Sequence, residues 1–173
     1  MKCEPLVTER LLLRRFTLDD VEALYQLVTI PAVIRYVGNT PAASREAARE
    51  TLKAHALRDY EVHGYGRFAV VWKAAGAVIG FCGVKHLDEI GEDELGYRYL
   101  PEFWGRGLAK ESCRAVIDHA RETLKLRRLV SIIHPENEGS KNVVRKLGFT
   151  HESTRVIDGL IKGQPMEIYA RAI

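Results

Sequence analysis

A mixed α/β domain, with a mostly antiparallel sheet and one parallel strand pair, is the fold class this sequence predicts. Two β-rich runs, residues 68–72 and 78–84, are separated by Ala74-Ala75-Gly76, the pattern of an antiparallel hairpin. A third run, residues 95–100, is followed by a helical period and then by the continuous apolar run 129–133. Strand, helix and doubly buried strand in that order make a parallel βαβ unit with a right-handed crossover. No repeat, linker or low-complexity segment interrupts the chain, so residues 1–173 read as a single domain.

The elements follow in order. Residues 10–16 open with Leu11-Leu12-Leu13, a strand-like run closed by Arg14 and Arg15. Thr17 and Asp20 have the spacing of a capping box, in which each side chain satisfies a backbone N–H at a helix start. Val21, Leu24, Tyr25 and Val28 continue at helical spacing, and Pro31 ends that helix. Ser44 caps a second helix whose Ala48, Leu52 and Ala56 share one face and which Gly64 and Gly66 stop. After the hairpin, residues 88–94 form a polar, acidic loop that leads into the run 95–100. From Gly107 the period is helical again, with Ala109, Cys113, Val116, Ile117, Ala120 and Leu124 on one face. A short helix over residues 140–147 ends in Gly148-Phe149, which fits a left-handed cap with an apolar clamp. Residues 156–157 and 166–170, around Asp158-Gly159, form a closing hairpin.

Composition narrows the function. Of 173 residues 46% are hydrophobic, ample for one core, and the formal net charge of +3 is too mild to argue for nucleic acid or an anionic membrane. Arg14-Arg15 and Arg127-Arg128 are isolated pairs without interleaved aromatics, so no nucleic-acid partner is expected. No run reaches the roughly 20 apolar residues of a membrane helix, and Glu4, Glu9, Arg10, Arg14 and Arg15 break up any signal-peptide core. Cys3, Cys82 and Cys113 share no metal-type spacing and read as reduced thiols of a cytoplasmic protein. The six histidines form no metal-like cluster, and no metal is expected.

The most informative segment reads Pro-Glu-Phe-Trp-Gly-Arg-Gly-Leu-Ala-Lys over residues 101–110. A Gly-Arg-Gly turn between a strand and a helix exposes backbone N–H groups at the positive end of the helix dipole. Arg106 and Lys110 stand beside them, which suits a phosphate or pyrophosphate. A Rossmann fingerprint would need glycine at Lys110, and a P-loop would need Gly-Lys-Ser/Thr, so neither fits. A tight turn in which Gly105 and Gly107 only bend the chain is the plain alternative.

Four motifs together decide further. Thr8-Glu9-Arg10-Leu11-Leu12-Leu13-Arg14, Glu94-Leu95-Gly96-Tyr97, Phe103-Trp104-Gly105-Arg106-Gly107-Leu108-Ala109, and Asn137, Ser140, Asn142-Val143 with Arg145-Lys146-Leu147-Gly148-Phe149 occur in this order. They resemble the GNAT superfamily of N-acetyltransferases, more narrowly its ribosomal-protein N-terminal acetyltransferase branch of the RimJ/RimL type. The resemblance covers nearly the whole chain. It implies the GNAT sheet, mostly antiparallel with its parallel βαβ unit at the cofactor site, and acetyl-CoA as co-substrate. Two departures from the superfamily stand out: Trp104 opens a loop that usually starts with Gln or Arg, though tryptophan there looks normal for this branch, and Val144 replaces a tyrosine that many members use to protonate the leaving thiolate.

Acetyl transfer to an amine requires removal of an amine proton, donors at the developing oxyanion, and a proton or positive environment for the departing thiolate. By resemblance, the pantetheine arm pairs with backbone around Tyr99 and Leu100. Arg106, Gly107, Leu108, Ala109 and Lys110 wrap the pyrophosphate. Asn137 bonds the cofactor arm, against the plain reading of a helix N-cap. Glu94 is the preferred base, against one more solvated carboxylate. Ser140 bonds or protonates the leaving sulfur, against an ordinary first-turn serine. His134, at a strand end, is a reserve base.

The implied acceptor is an amine-bearing small molecule, an amino-acid-like molecule or a protein N-terminus, and the acidic loop offers attraction for a cationic amine. Residues 30–65 form much of the acceptor wall. A homodimer rests on resemblance alone. The rival from another class is a catalytically silent acyl-CoA-binding module for sensing or scaffolding, to which Val144 gives some room.

Overall fold

A computed structural model describes residues 4–38 and 41–173; Cys3 lies outside them. The first apolar run forms β2 (Leu11–Arg14), paired antiparallel with the two-residue β1 (Leu6–Val7). The capping box is present in both halves: Thr17 Oγ1 accepts at the helix start and Asp20 Oδ2 accepts from Thr17 N–H at 2.8 Å. It opens a single 3-10 turn that runs into α1 (Val21–Thr29), with Val21, Leu24, Leu27 and Val28 buried.

Pro31 does more than end α1. It is the first residue of a second short helix, α2 (Pro31–Ile34), where a missing N–H costs no hydrogen bond.

Ser44 Oγ accepts from Ala47 N–H at 3.1 Å and starts α3 (Arg45–Leu52). One π-turn, Lys53–Leu57, joins it to α4 (Arg58–Val62). Such turns carry an extra residue and turn the side chains after them. Nothing in the apolar spacing announces it.

The predicted hairpin is β3 (Arg67–Trp72) and β4 (Ala77–Leu87). The expected acidic loop is shorter than predicted: residues 88–91 form the turn, and β5 (Glu92–Tyr99) begins at Glu92. Each acid of β5 has a partner. Glu92 meets Arg128 at 3.2 Å, Asp93 meets His86 at 3.0 Å and the Tyr65 hydroxyl at 2.5 Å, and Glu94 meets Arg67 at 2.6 Å. The crossover helix α5 (Leu108–Glu122) leads to β6 (Arg128–Ile133).

Asn137 caps α6 (Glu138–Lys146), which starts two residues before the predicted helix. It ends as predicted: Gly148 has φ of 83°, Phe149 N–H bonds Val144 O at 3.1 Å, and both side chains are buried. The chain closes with β7 (Thr150–Val156) against β8 (Pro165–Ala172). β7 is an edge strand of mostly exposed polar residues, so no apolar alternation marks its true length.

The sheet order is β1-β2-β3-β4-β5-β6-β8-β7, antiparallel throughout except for β5 with β6. Alternation along the strands divides the core in two. Leu11, Leu13, Phe68, Val70, Cys82, Val84, Leu95 and Tyr99 pack against α5 and α6. Ala69 and Phe81, on the opposite face, pack against α1 and α3. Cys82 and Cys113 lie in the first core as free thiols with sulfurs 3.6 Å apart. No helix among the described residues is long and apolar enough to cross a membrane.

Candidate active site

In an antiparallel ladder alternate residues turn their N–H and C=O toward the same neighbour. Leu100 donates its N–H to Ile79 O on β4 at 2.9 Å, so Leu95, Tyr97 and Tyr99 turn theirs the other way, toward β6. On that side the parallel ladder has a single partnered pair, Glu94 with Val130. The next link is a side chain, Ser131 Oγ donating to Leu95 O at 2.7 Å. Beyond it the strands part, and the main chain of Tyr97 and Tyr99 borders an opening between β5 and β6.

This corrects one sequence expectation. The N–H of Leu100 is engaged with Ile79, and its carbonyl accepts from Phe103 N–H at 3.0 Å. The backbone groups that face the opening belong to Tyr97 and Tyr99. The Tyr99 carbonyl also accepts from Trp104 Nε1 at 2.7 Å, which fixes the tryptophan at the mouth of the loop.

The glycine turn lies at the end of the same strand. Gly105 and Gly107 have φ of 71° and 77°, the left-handed region that a Cβ resists. Gly107 is the N-cap of α5, and no side chain caps that end. The N–H groups of Leu108, Ala109 and Lys110 precede the first helical bond, from Glu111 N–H to Gly107 O at 3.0 Å. The Leu108 side chain is fully buried and anchors the turn to the core.

Arg10 braces this loop from the N-terminal segment. It bonds Arg106 O at 3.0 Å and forms an ion pair with Glu111 at 2.6 Å, and Thr8 Oγ1 donates to the same carboxylate at 2.6 Å. Burial pushes the Glu111 carboxyl up, but bonds from Thr8 and Arg10 outweigh that and hold it below its ordinary value. Arg106 stacks over Trp72 and Phe103, with its guanidinium carbon 4.9 and 5.4 Å from the ring centres. Lys110 lines an open groove with Thr8, Glu9, Gly107 and Arg114. Uncapped amides, an aligned helix dipole and two nearby cations fit a pyrophosphate.

Across the opening stands α6. Asn137 Oδ1 accepts from Ser140 N–H at 3.1 Å, so its oxygen serves as the helix cap and its amide nitrogen remains a donor. Ser140 Oγ lies 2.8 Å from the Tyr97 hydroxyl. Val144 is fully buried in the core beneath α6.

Glu94 and Ser140 lie on different sides of the sheet. Leu95, next to Glu94, packs toward α5, so Glu94 itself belongs to the α1–α3 face. His134 contacts Tyr36, ring centres 5.2 Å apart, and its Nδ1 accepts from Glu136 N–H at 3.2 Å. Among the described residues no group of three or more His, Cys, Asp or Glu side chains is placed to hold a metal.

Sequence reasoning passed over Arg67, Arg98 and the partner role of Tyr97. Period-two alternation along β5 contained part of the signal: Glu94 and Arg98 fall on one face, Tyr97 and Tyr99 on the other. Arg67 comes from a distant strand and no local spacing reveals it.

The family model for the acetyltransferase (GNAT) domain matches residues 10–150. An uncharacterized N-acetyltransferase, p20, of Bacillus licheniformis is 33% identical over 168 residues, covering 96% of this chain and 93% of its own. The spermidine N(1)-acetyltransferase of Escherichia coli K12 is 26% identical over 153 residues, 88% of this chain and 79% of its own. Among solved structures, an acetyltransferase of Agrobacterium tumefaciens superposes with a TM-score of 0.82 at 28% identity, over 99% of this chain and 95% of its own. RimL, the ribosomal L7/L12 α-N-protein acetyltransferase in complex with coenzyme A, shares the fold at a TM-score of 0.82 and 24% identity, over 98% of each chain. With its sheet, its parted parallel strands and its glycine turn, this chain belongs to the GNAT family of N-acetyltransferases.

Proposed function

We propose that the protein moves an acetyl group from acetyl-CoA directly to a primary amine, either a protein N-terminal α-amine or a small amine or amino-acid-like molecule. The observation that carries this reading is the continuity between the opening beside β5 and the uncapped start of α5. An extended polar arm finds main-chain partners in the one, and its pyrophosphate finds amides in the other.

When bound, acetyl-CoA supplies the thioester carbonyl that the amine attacks and the sulfur that leaves. The roles of the chain's own residues follow. The amides from Gly107 to Lys110, with the charges of Arg106 and Lys110, hold the pyrophosphate. Tyr97 and Tyr99 pair with the arm through their main chain, and the Asn137 amide nitrogen adds a donor. Glu94 takes the amine proton through Oε1, since Oε2 is held by Arg67. Ser140, supported by Tyr97, gives a hydrogen bond or proton to the departing sulfur.

The test of this reading is thermal shift with acetyl-CoA, free CoA, ATP and NAD. A ligand at a hundred times its Kd stabilises a protein by about 2.7 kcal/mol, which raises Tm by roughly 5–10 °C at this size. Shifts with both CoA species and not with NAD support it. No shift with either, in a folded protein, reduces the glycine turn to a turn.

A further inference from the structure

Glu94, Gly96 and Arg98 share one face of β5, opposite Lys85, Gly83 and Phe81 of β4. Phe81 packs with α1 and α3, so this is the face that the first helices cover. Its charges do not balance. Arg67 lies across Gly96, where a Cβ would come 2.9 Å from its Nη2, and reaches Glu94 Oε2 at 2.6 Å. The Arg67 Nε is buried with no partner.

Arg98 is the second guanidinium at Phe81. Its central carbon lies 5.3 Å from the ring centre and that of Arg67 lies 5.2 Å away. Among the described residues the Arg98 guanidinium has no hydrogen bond and no ion pair. Burial, and then the charge of Arg67, push it down to about 10, with Glu94 opposing.

From the π-turn, His55 feels the same excess. Burial and then Lys85 lower its pKa, Asp59 opposes them, and Arg67 and Arg58 lower it further. Around Gly96 on this face Arg67, Lys85 and Arg98 accompany Glu94, while Glu92, farther back on β5, is paired with Arg128. A half-buried guanidinium without an acceptor has lost hydration with no return. A planar anion restores its hydrogen bonds and the charge balance together.

We infer that this face binds a carboxylate of the acceptor, which is a free α-amino acid or a similar small molecule with its amine a few atoms from a carboxylate. The amine meets Glu94, and the carboxylate meets Arg98 and the unpartnered edge of Arg67. This rests on the acetyl-transfer reading above and adds the substrate class to it. A polyamine offers nothing to Arg98 and brings more positive charge to a face already rich in it. The acids of the β4–β5 turn region, which sequence alone marked as an attraction for cations, are mostly paired.

The experiment compares kcat/KM for free α-amino acids, their amides, spermidine and a short peptide. It is run on the wild type, Arg98→Gln and Arg98→Lys, each first shown to keep its thermal shift with CoA. The expected result is at least one free acid exceeding its amide by tenfold or more, with spermidine below both. In Arg98→Gln the acid-to-amide ratio falls toward unity, mostly through KM, and Arg98→Lys is intermediate. Amides, spermidine or the peptide outrunning every free acid would overturn the inference and leave acetyl transfer standing. A ratio unmoved by Arg98→Gln would overturn it equally. No thiol release above the amine-free background with any amine would overturn both readings.

Discussion

The Tyr97 hydroxyl lies 2.8 Å from Ser140 Oγ and donates to Ser140 O at 3.1 Å, joining β5 to the first turn of α6 across the opening between β5 and β6. Burial holds this phenol well above its ordinary pKa, so it acts as a donor and stays neutral. With the single Tyr97 proton on the carbonyl, the Ser140 hydroxyl is the donor of the 2.8 Å contact, and its proton must turn from the Tyr97 oxygen to reach another acceptor. A hydroxyl pair thus occupies the region where Val144 supplies none.

Ser140→Ala and Tyr97→Phe should each lower kcat about 10²-fold, the low end of general acid catalysis, while thermal shift with CoA persists. Because the two hydroxyls touch, the double variant should lose less than the product of the single losses. Initial rates on the four proteins check this; additive losses would separate the residues.

Glu94→Gln should cut kcat by about 10²–10⁴-fold and leave the Kd for acetyl-CoA within threefold or so, as read by calorimetry. The glutamine keeps the size of the side chain and a carbonyl for Arg67, so the loss reports the carboxylate. Near-normal turnover would remove Glu94 from proton transfer.

Gly107→Ala and Gly163→Ala provide a paired test of the loop. Both glycines have positive φ, 77° and 71°, so each alanine should cost about 1–2 kcal/mol of stability. Only Gly107→Ala should also weaken CoA binding, because only Gly107 caps α5. Equal CoA affinity in the two variants would disconnect the turn from the cofactor.

Stability should fall with acid in two stages. Burial lowers His119, and burial with the nearby cations lowers His55, from 6.5. Their folded values lie below the unfolded one, so their contribution is complete above pH 6.5 and declines as pH falls below it. Asp20 forms a 2.7 Å ion pair with Arg14. Burial raises its pKa, and bonds from Arg14 and Thr17 outweigh this, so it ends below 3.8. Its share is complete above 3.8 and is lost below that. Tm measured from pH 8 to 3 should show both declines, and Asp20→Asn should shrink the second, to which Glu111 also contributes.

Much of the fold was legible because local rules and tertiary packing agree. Thr17, Ser44 and Gly148 mark helix ends by chemistry that acts within four residues, and the apolar stretch 129–133 is continuous because both its faces are covered. The failures have equally physical causes. The π-turn at Lys53–Leu57 leaves apolar spacing almost intact. β5 extends back to Glu92, where Arg128 and Arg67, remote in sequence, pair with Glu92 and Glu94. The cofactor turn was readable since amides and cations lie within one short segment. The Arg67–Glu94 pair and the Tyr97–Ser140 contact were not, since each joins elements 27 and 43 residues apart.

The most direct measurement is thiol release from acetyl-CoA with and without a panel of primary amines, with the acetylated product identified by mass. The account predicts release that depends on the amine, yields N-acetylated product in equal amount, and falls at least about 10²-fold in Glu94→Gln. Tight acetyl-CoA binding without amine-dependent release would contradict it and leave a silent acyl-CoA-binding module.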